Sequence, residues 1–213
     1  MRGPVLSDIL LVLVPLLVIV DPPASLGLFL GLTAGRNRAE RGRIAVKATT
    51  FAAVVLVVFA VGGKWVLSYL GIELYALQIA GGLLLVMIGL RMLREGREIP
   101  RRELREVHLP TGGAHDPDDA DGDPSYVPLG LPMLAGPGAI SLVIVQTTTH
   151  GFGLVSASIG LVMAITMLFL MAAARLQGLL GETGSRVITR IMGILTVAFA
   201  VQYVLDGIDG WQA

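Results

Sequence analysis

The chain contains no cysteine among its 213 residues. That absence excludes disulfides and thiolate-ligated metals, and it leaves the compartment open. Charge is also scarce. Charged residues make up 15% of the chain, against roughly 25% in an ordinary soluble domain, and formal net charge is zero. A balanced charge offers no electrostatic footprint for nucleic acid. The three histidines, His108, His115 and His150, stand at no metal-ligand spacing. No phosphate-loop lysine motif, HExxH or GxSxG occurs. The residues therefore point away from an enzyme, and no cofactor is expected.

What is present is apolar sequence in long runs. Hydrophobic residues account for 54% of the chain. A hydrocarbon core about 30 Å thick needs roughly 20 apolar residues as helix. Six windows qualify: 6–32, 45–63, 74–93, 127–148, 153–174 and 187–208. The N-terminal stretch MRGPVLSDILLVLVPLLVIVD resembles a secretory leader, but no small-residue cleavage motif follows, so it reads as the first span. Trp65 to Leu70 reads as an interfacial turn anchored by Trp65 and Tyr69.

The basic residues set the expected topology. Arg36, Arg38, Arg41, Arg43 and Lys47 follow span one. Arg91, Arg94, Arg97, Arg101, Arg102 and Arg105 follow span three, and Arg175, Arg186 and Arg190 follow span five. Together these are 14 of the 16 basic residues. Lys and Arg collect on the cytoplasmic side, so both termini are expected outside. Residues 94–126 begin as a charged extension of span three, interrupted at Pro100. They continue as an acidic Gly, Pro and Asp linker with almost nothing to bury.

This segment divides the chain into two halves, 1–93 and 127–213, each of three spans. Gln78-Ile79-Ala80-Gly81 in span three lines up with Arg190-Ile191-Met192-Gly193 in span six. Asp21-Pro22-Pro23-Ala24 in span one lines up with Gly136-Pro137-Gly138-Ala139 in span four. A three-span unit repeated once must appear upside down. The expected fold is thus an all-α integral membrane protein of two inverted three-helix repeats, with helices one and four interrupted. In many secondary transporters such paired interruptions frame a site at the membrane midplane.

The interruptions carry the candidate binding residues. Proline removes a backbone donor and pushes the preceding residue out of helical geometry. Asp21-Pro22-Pro23 therefore frees carbonyls at the end of one half-helix and N–H groups at the start of the next. In lipid these groups must be satisfied or must line a wet cavity. Opposed half-helix ends suit a zwitterion. Asp21 is the one acidic residue well inside a predicted span, where an ionisable group defaults to function. It also suits the plainer role of an N-cap, and the two roles are compatible. Ser25 and Ser141 follow the two interruptions. Arg190 either reaches a substrate carboxylate or snorkels to the cytoplasmic surface. The candidate binding set is Asp21, Pro22, Ser25, Gly136, Pro137, Gly138, Ser141 and Arg190. Gln146 lies within span four; Gln78 and Gln202 read chiefly as interhelical hydrogen-bonding residues, and Thr147 to His150 as the outer end of span four.

Four blocks carry a family resemblance: DPPASLGLFLGLTAGRNRAERGRIAVKA, LGIELYALQIAGGLLLVMIGLRML, YVPLGLPMLAGPGAISLVI and ITRIMGILTVAFAVQYVLDGI. In this order they resemble the MarC (UPF0056) family, also called the small neutral amino acid transporter family and grouped with LysE-type exporters. The resemblance covers nearly the whole chain outside the acidic linker. It implies a six-span inner-membrane protein of bacteria or archaea that moves small neutral solutes such as glycine or alanine. Many relatives read Asp-Pro-x-Gly-Asn-x-Pro at the first interruption. Here Ser25 replaces the asparagine and Gly27 the second proline, and Gln78 stands where arginine is common.

The expected partners are a small solute and the lipid bilayer, with coupling to protons or sodium and assembly as a homo-oligomer left open. Two rival readings remain. One is a scaffold or regulatory subunit using the basic cytoplasmic face. The other is a translocator of a lipid-linked or amphipathic substrate, for which a groove open sideways to lipid would speak.

Overall fold

A computed structural model describes residues 6–33, 35–94 and 134–212. All regular structure among them is helical: α1 (Leu6–Val20), α2 (Pro22–Leu32), α3 (Arg38–Leu70), α4 (Leu74–Arg94), α5 (Pro137–His150) and α6 (Phe152–Gln212). The charged extension and acidic linker of 94–126 lie outside the described residues, apart from Arg94, and so does the first part of the 127–148 window.

Local chemistry sets the helix ends. Asn37 caps α3 through a reciprocal box: Glu40 N–H donates to Asn37 Oδ1 at 2.9 Å, and Asn37 N–H donates to Glu40 Oε2 at 3.2 Å. Gly71 ends α3 at φ 67°, a left-handed conformation that favours glycine. The helix runs through Trp65 and Tyr69, which are 83% and 91% exposed. The two aromatics thus stand on the last turns of α3 rather than in a separate turn, because the helix continues to its left-handed cap at Gly71.

Five segments are long and apolar enough to cross a membrane: Asp8–Leu26, Arg38–Leu70, Leu74–Arg94, Phe152–Arg175 and Val187–Gln212. Between 22 and 44% of each apolar window is buried inside the protein. The rest of each window, including Val54, Val58, Val61, Leu83, Met87, Leu168 and Ile194, presents large apolar side chains outward, so that surface belongs in lipid. The described part of the fourth expected span is α5, only 14 residues long.

Helix α6 contains two spans. A straight helix of its length would reach about 90 Å. Yet Tyr203, in its second span, meets Ser141 of α5, and its first turn adjoins His150 at the other end of α5. The axis therefore doubles back between the two spans, Phe152–Arg175 and Val187–Gln212.

Small residues let the helices approach. Ala45, Ala48, Thr49, Ala52, Leu56, Ala60 and Gly63 form one buried stripe on α3. A Cβ at Gly82 would lie 2.9 Å from the Ala200 carbonyl oxygen, and one at Gly89 would lie 3.0 Å from that of Gly193. Backbone contact this close between α4 and the second span of α6 is what small residues permit in membrane helices. Buried hydroxyls are mostly satisfied within their own helix, as when Thr49, Thr166 and Ser158 donate to the carbonyls of Ala45, Val162 and Leu154.

Pro15 lies inside α1. It has no N–H to donate to the Leu11 carbonyl one turn back. Gln146 of α5 supplies a replacement, its Nε2 donating to Leu11 O at 3.4 Å. An interhelical bond thus satisfies a carbonyl that a proline leaves open. This generates a double-mutant prediction for thermal unfolding in detergent. Gln146→Leu is expected to destabilise the protein by about 0.6–2 kcal/mol, the range of membrane interhelical hydrogen bonds. The loss should largely vanish with Pro15→Ala, whose own N–H serves Leu11. Equal losses in both backgrounds would contradict the pairing.

Candidate functional site

Asp21 is the hinge between α1 and α2. Its backbone stands at φ 48°, ψ 68°, the one positive φ of a non-glycine residue among those described. Aspartate tolerates this conformation better than most side chains. Its own N–H still donates to Leu17 O at 3.0 Å, closing α1. Pro22 and Pro23 then remove the donors that would serve the carbonyls of Val18 and Ile19. The carboxylate turns to the new helix and Oδ1 accepts from Ala24 N–H at 3.2 Å. Ser25 donates through both N–H (3.2 Å) and Oγ (3.1 Å) to Asp21 O. Asp21 is 7% exposed and Ser25 1%. Asp21 Oδ2 is buried with no hydrogen-bond partner.

The start of α5 is built differently. Gly136 caps α5 with extended backbone and no side-chain hydrogen bond, and Pro137 opens the helix at a position where its missing N–H costs nothing. Pro137 is exposed and Gly138 buried. A Cβ at Gly138 would lie 2.5 Å from Leu85 Cδ2, and one at Gly81 would lie 2.5 Å from Ser141 Oγ. The two helices therefore interlock reciprocally: Leu85 of α4 fills the space over Gly138, and Ser141 of α5 fills the space over Gly81. Ser141 Oγ donates to Leu77 O at 3.0 Å and lies 3.4 Å from Tyr203 Oη. Ser141 is 1% exposed, so its hydroxyl is engaged in joining α5 to α4 and α6.

Helices α1 and α5 run antiparallel, since Asp8 and His150 line one cavity while Leu11 meets Gln146 one turn further in. Asp21 lies ten positions beyond Leu11, and Gly136 ten positions before Gln146. Ten helical residues rise about 15 Å, so Asp21 and Gly136 sit at one level along the two helices. That level is the middle of α4, where Leu85 meets Gly138. Val20 and Leu26 around Asp21, and Leu134, Ala135 and Ala139 around Gly136, belong to one buried cluster.

Arg190 is not brought to this level. It is exposed and lies one turn from Gly193, which packs on Met92 and Leu93 at the arginine-bearing end of α4. Tyr203 is the contributor that the sequence reading passed over. A tyrosine inside an apolar span must find a partner for its hydroxyl, and that requirement was the available signal. Gln78 packs beside Gly207. Gln202 donates to Asp206 within its own helix at 2.7 Å. Among the described residues no group of three or more His, Cys, Asp or Glu side chains could hold a metal ion.

The apolar exterior and the buried polar hinge define an all-helical, multi-pass integral membrane protein. The model of the MarC family of integral membrane proteins matches residues 6–212, and the chain belongs to that family. It is 35% identical over 198 residues to a UPF0056 membrane protein of Methanocaldococcus jannaschii, covering 90% of this chain and 91% of the relative. It is 31% and 32% identical over 209 residues to the UPF0056 inner membrane proteins MarC of Citrobacter koseri and Escherichia coli, covering 92% of this chain and 91% of each relative. Such proteins are multi-pass inner-membrane proteins of bacteria and archaea. No solved structure matches the chain.

The hinge geometry predicts unequal effects at Asp21. Asparagine keeps the cap and tolerates left-handed backbone, so Asp21→Asn should unfold thermally within about 0.5 kcal/mol of the parent. Asp21→Ala loses both and should cost about 1–3 kcal/mol. Equal melting of the two variants in detergent would contradict the hinge role.

Proposed function

We propose that the protein is a secondary transporter of small neutral solutes, with amino acids of the size of glycine or alanine as the favoured class. What supports this reading is that Asp21, a buried carboxylate with an unpartnered oxygen followed by two prolines, lies level with the proline start of α5 along an antiparallel helix. Irregular backbone within a membrane is tolerated where it is buried in protein or lines a wet cavity. A substrate ammonium would meet Asp21 Oδ2 and the Val18 and Ile19 carbonyls. A substrate carboxylate would meet the uncapped start of α5 at Gly136 and Pro137. Ser25 and Pro22 line the first interruption, and Gly138 holds the second close to α4.

On this reading the two halves form inverted repeats, and alternating access comes from rocking one against the other. The antiparallel run of α1 and α5 supports that relation. The arginine-rich end would face the cytoplasm and both termini the outside. Arg190 would stay at the cytoplasmic surface and not contact solute. The cycle needs no covalent chemistry. Asp21 would couple transport to a proton or a sodium ion.

The test is flux of labelled glycine in proteoliposomes, with and without gradients of pH or sodium. Purified protein should raise flux over empty liposomes, and Asp21→Asn should lose the gradient-driven part while keeping exchange. Flux of Asp21→Asn equal to the parent under every gradient would remove Asp21 from coupling. Flux no greater than in empty liposomes, for glycine, alanine and serine alike, would remove the transport reading.

A further inference from the structure

A cavity of about 940 Å³ opens at the end of the bundle opposite the arginines, between the first turn of α1, the end of α5 and the start of α6. It lies at the upper end of the volumes of small-molecule sites, about 300–1,000 Å³. Asp8 of α1 and Thr149 and His150 of α5 lie at the mouth, while Ser158, deeper along α6, already donates its hydroxyl to Leu154 O. His150 Nδ1 is buried and has no hydrogen-bond partner. From the mouth the cavity follows α6 inward past Gly153 and Ala157 to Leu161. Eight residues of helix rise about 12 Å, well into the hydrocarbon layer. Gly153, Ala157 and Leu161 are exposed, Leu161 by 47%. The floor is thus a groove open sideways to lipid, narrow-walled because two of these three residues are small.

We propose that this groove binds one phospholipid with an ethanolamine head group, from the leaflet at that end of the bundle. The acyl chain lies along Gly153, Ala157 and Leu161, where burial of apolar surface favours it. Among the described residues, the cavity lining holds one carboxylate and one imidazole, and neither lysine nor arginine. That pairing complements a zwitterionic head: the ammonium donates to the Asp8 carboxylate, and a phosphate oxygen accepts from the imidazole N–H that His150 presents to the cavity. An anionic head group without an amine would face the Asp8 carboxylate with no lysine or arginine among the described lining residues to offset it. A choline head has no N–H to donate. Selectivity should therefore follow the amine. This site is distinct from the mid-membrane interruptions, and its occupancy does not depend on what passes between them.

The test is native mass spectrometry of the full chain in detergent, titrated with phosphatidylethanolamine, phosphatidylcholine and phosphatidylglycerol of identical acyl chains. The parent should retain the ethanolamine lipid about tenfold over the other two, equivalent to one charge-assisted hydrogen bond of about 1.4 kcal/mol. Asp8→Asn should erase that preference. Asp209→Asn, an exposed carboxylate at the same end but outside the cavity, should preserve it. Leu161→Trp should lower retention of all three lipids together by filling the groove. His150→Gln gives an independent reading of the phosphate contact if Asp8→Asn does not fold. Equal retention of the three lipids by the parent would overturn the proposal, as would a preference unchanged in both Asp8→Asn and His150→Gln. Displacement of the bound lipid by millimolar free glycine would overturn it too, by marking the cavity as a vestibule for soluble zwitterions.

Discussion

Backbone carbonyls that lose their donors inside a membrane must find new ones, and this requirement organises the first half of the molecule around its prolines. Water is not at hand in hydrocarbon, where each unsatisfied polar group costs several kcal/mol. Pro15 opens the Leu11 carbonyl, and Gln146 reaches across from α5 to fill it. Pro22 and Pro23 open two more, and the chain answers by turning at Asp21, whose carboxylate caps the next helix. The first bond registers α1 against α5. Register then decides where the rest falls, because Asp21 and Gly136 each stand ten residues from that contact along antiparallel helices.

The rest of the packing holds that register. Gly81 and Gly138 receive Ser141 and Leu85, so α4 and α5 cannot slide past one another without a clash. Gly82 and Gly89 bring α4 onto the second span of α6 at backbone distance. A hydrophobic drive between helices is absent in lipid, so such close van der Waals contact and a few interhelical hydrogen bonds carry the association. Ser141 is the junction, touching α4 through Leu77 O and α6 through Tyr203. A hydroxyl so engaged fixes the wall of the central region more than it recognises a solute, which leaves Asp21 and the start of α5 as the groups with bonding capacity to spare.

Span positions were legible in the sequence because length and apolarity alone set them. Five of the six windows return as helices long enough to cross, and the interruption at Asp21 follows from the dipeptide that causes it. The cap was equally legible, since Asp before two prolines has few other uses. Contacts between distant segments were not. Gly81 reads as a generic packing glycine until Ser141 is seen above it, and Gln146 reads as an unremarkable polar residue until Pro15 is set beside it. Arg190 could be placed near the arginine-rich end of the bundle, but whether it reaches inward needed its exposure and the pairing of Gly193 with Met92 and Leu93. The lateral groove left no mark in the sequence, because it arises where three helix ends fail to fill the space between them.

The central claim is that the region between the two interruptions is reached by water and solute from each side in turn. A chain without native cysteine allows this to be measured directly with a single Ser25→Cys substitution and a membrane-impermeant maleimide. Labelling is followed in right-side-out and in inside-out vesicles, with and without glycine. The account predicts labelling from both sides, with glycine slowing the reaction in each orientation. A thiol that reacts from neither side, in a protein that is otherwise folded and inserted, would contradict it.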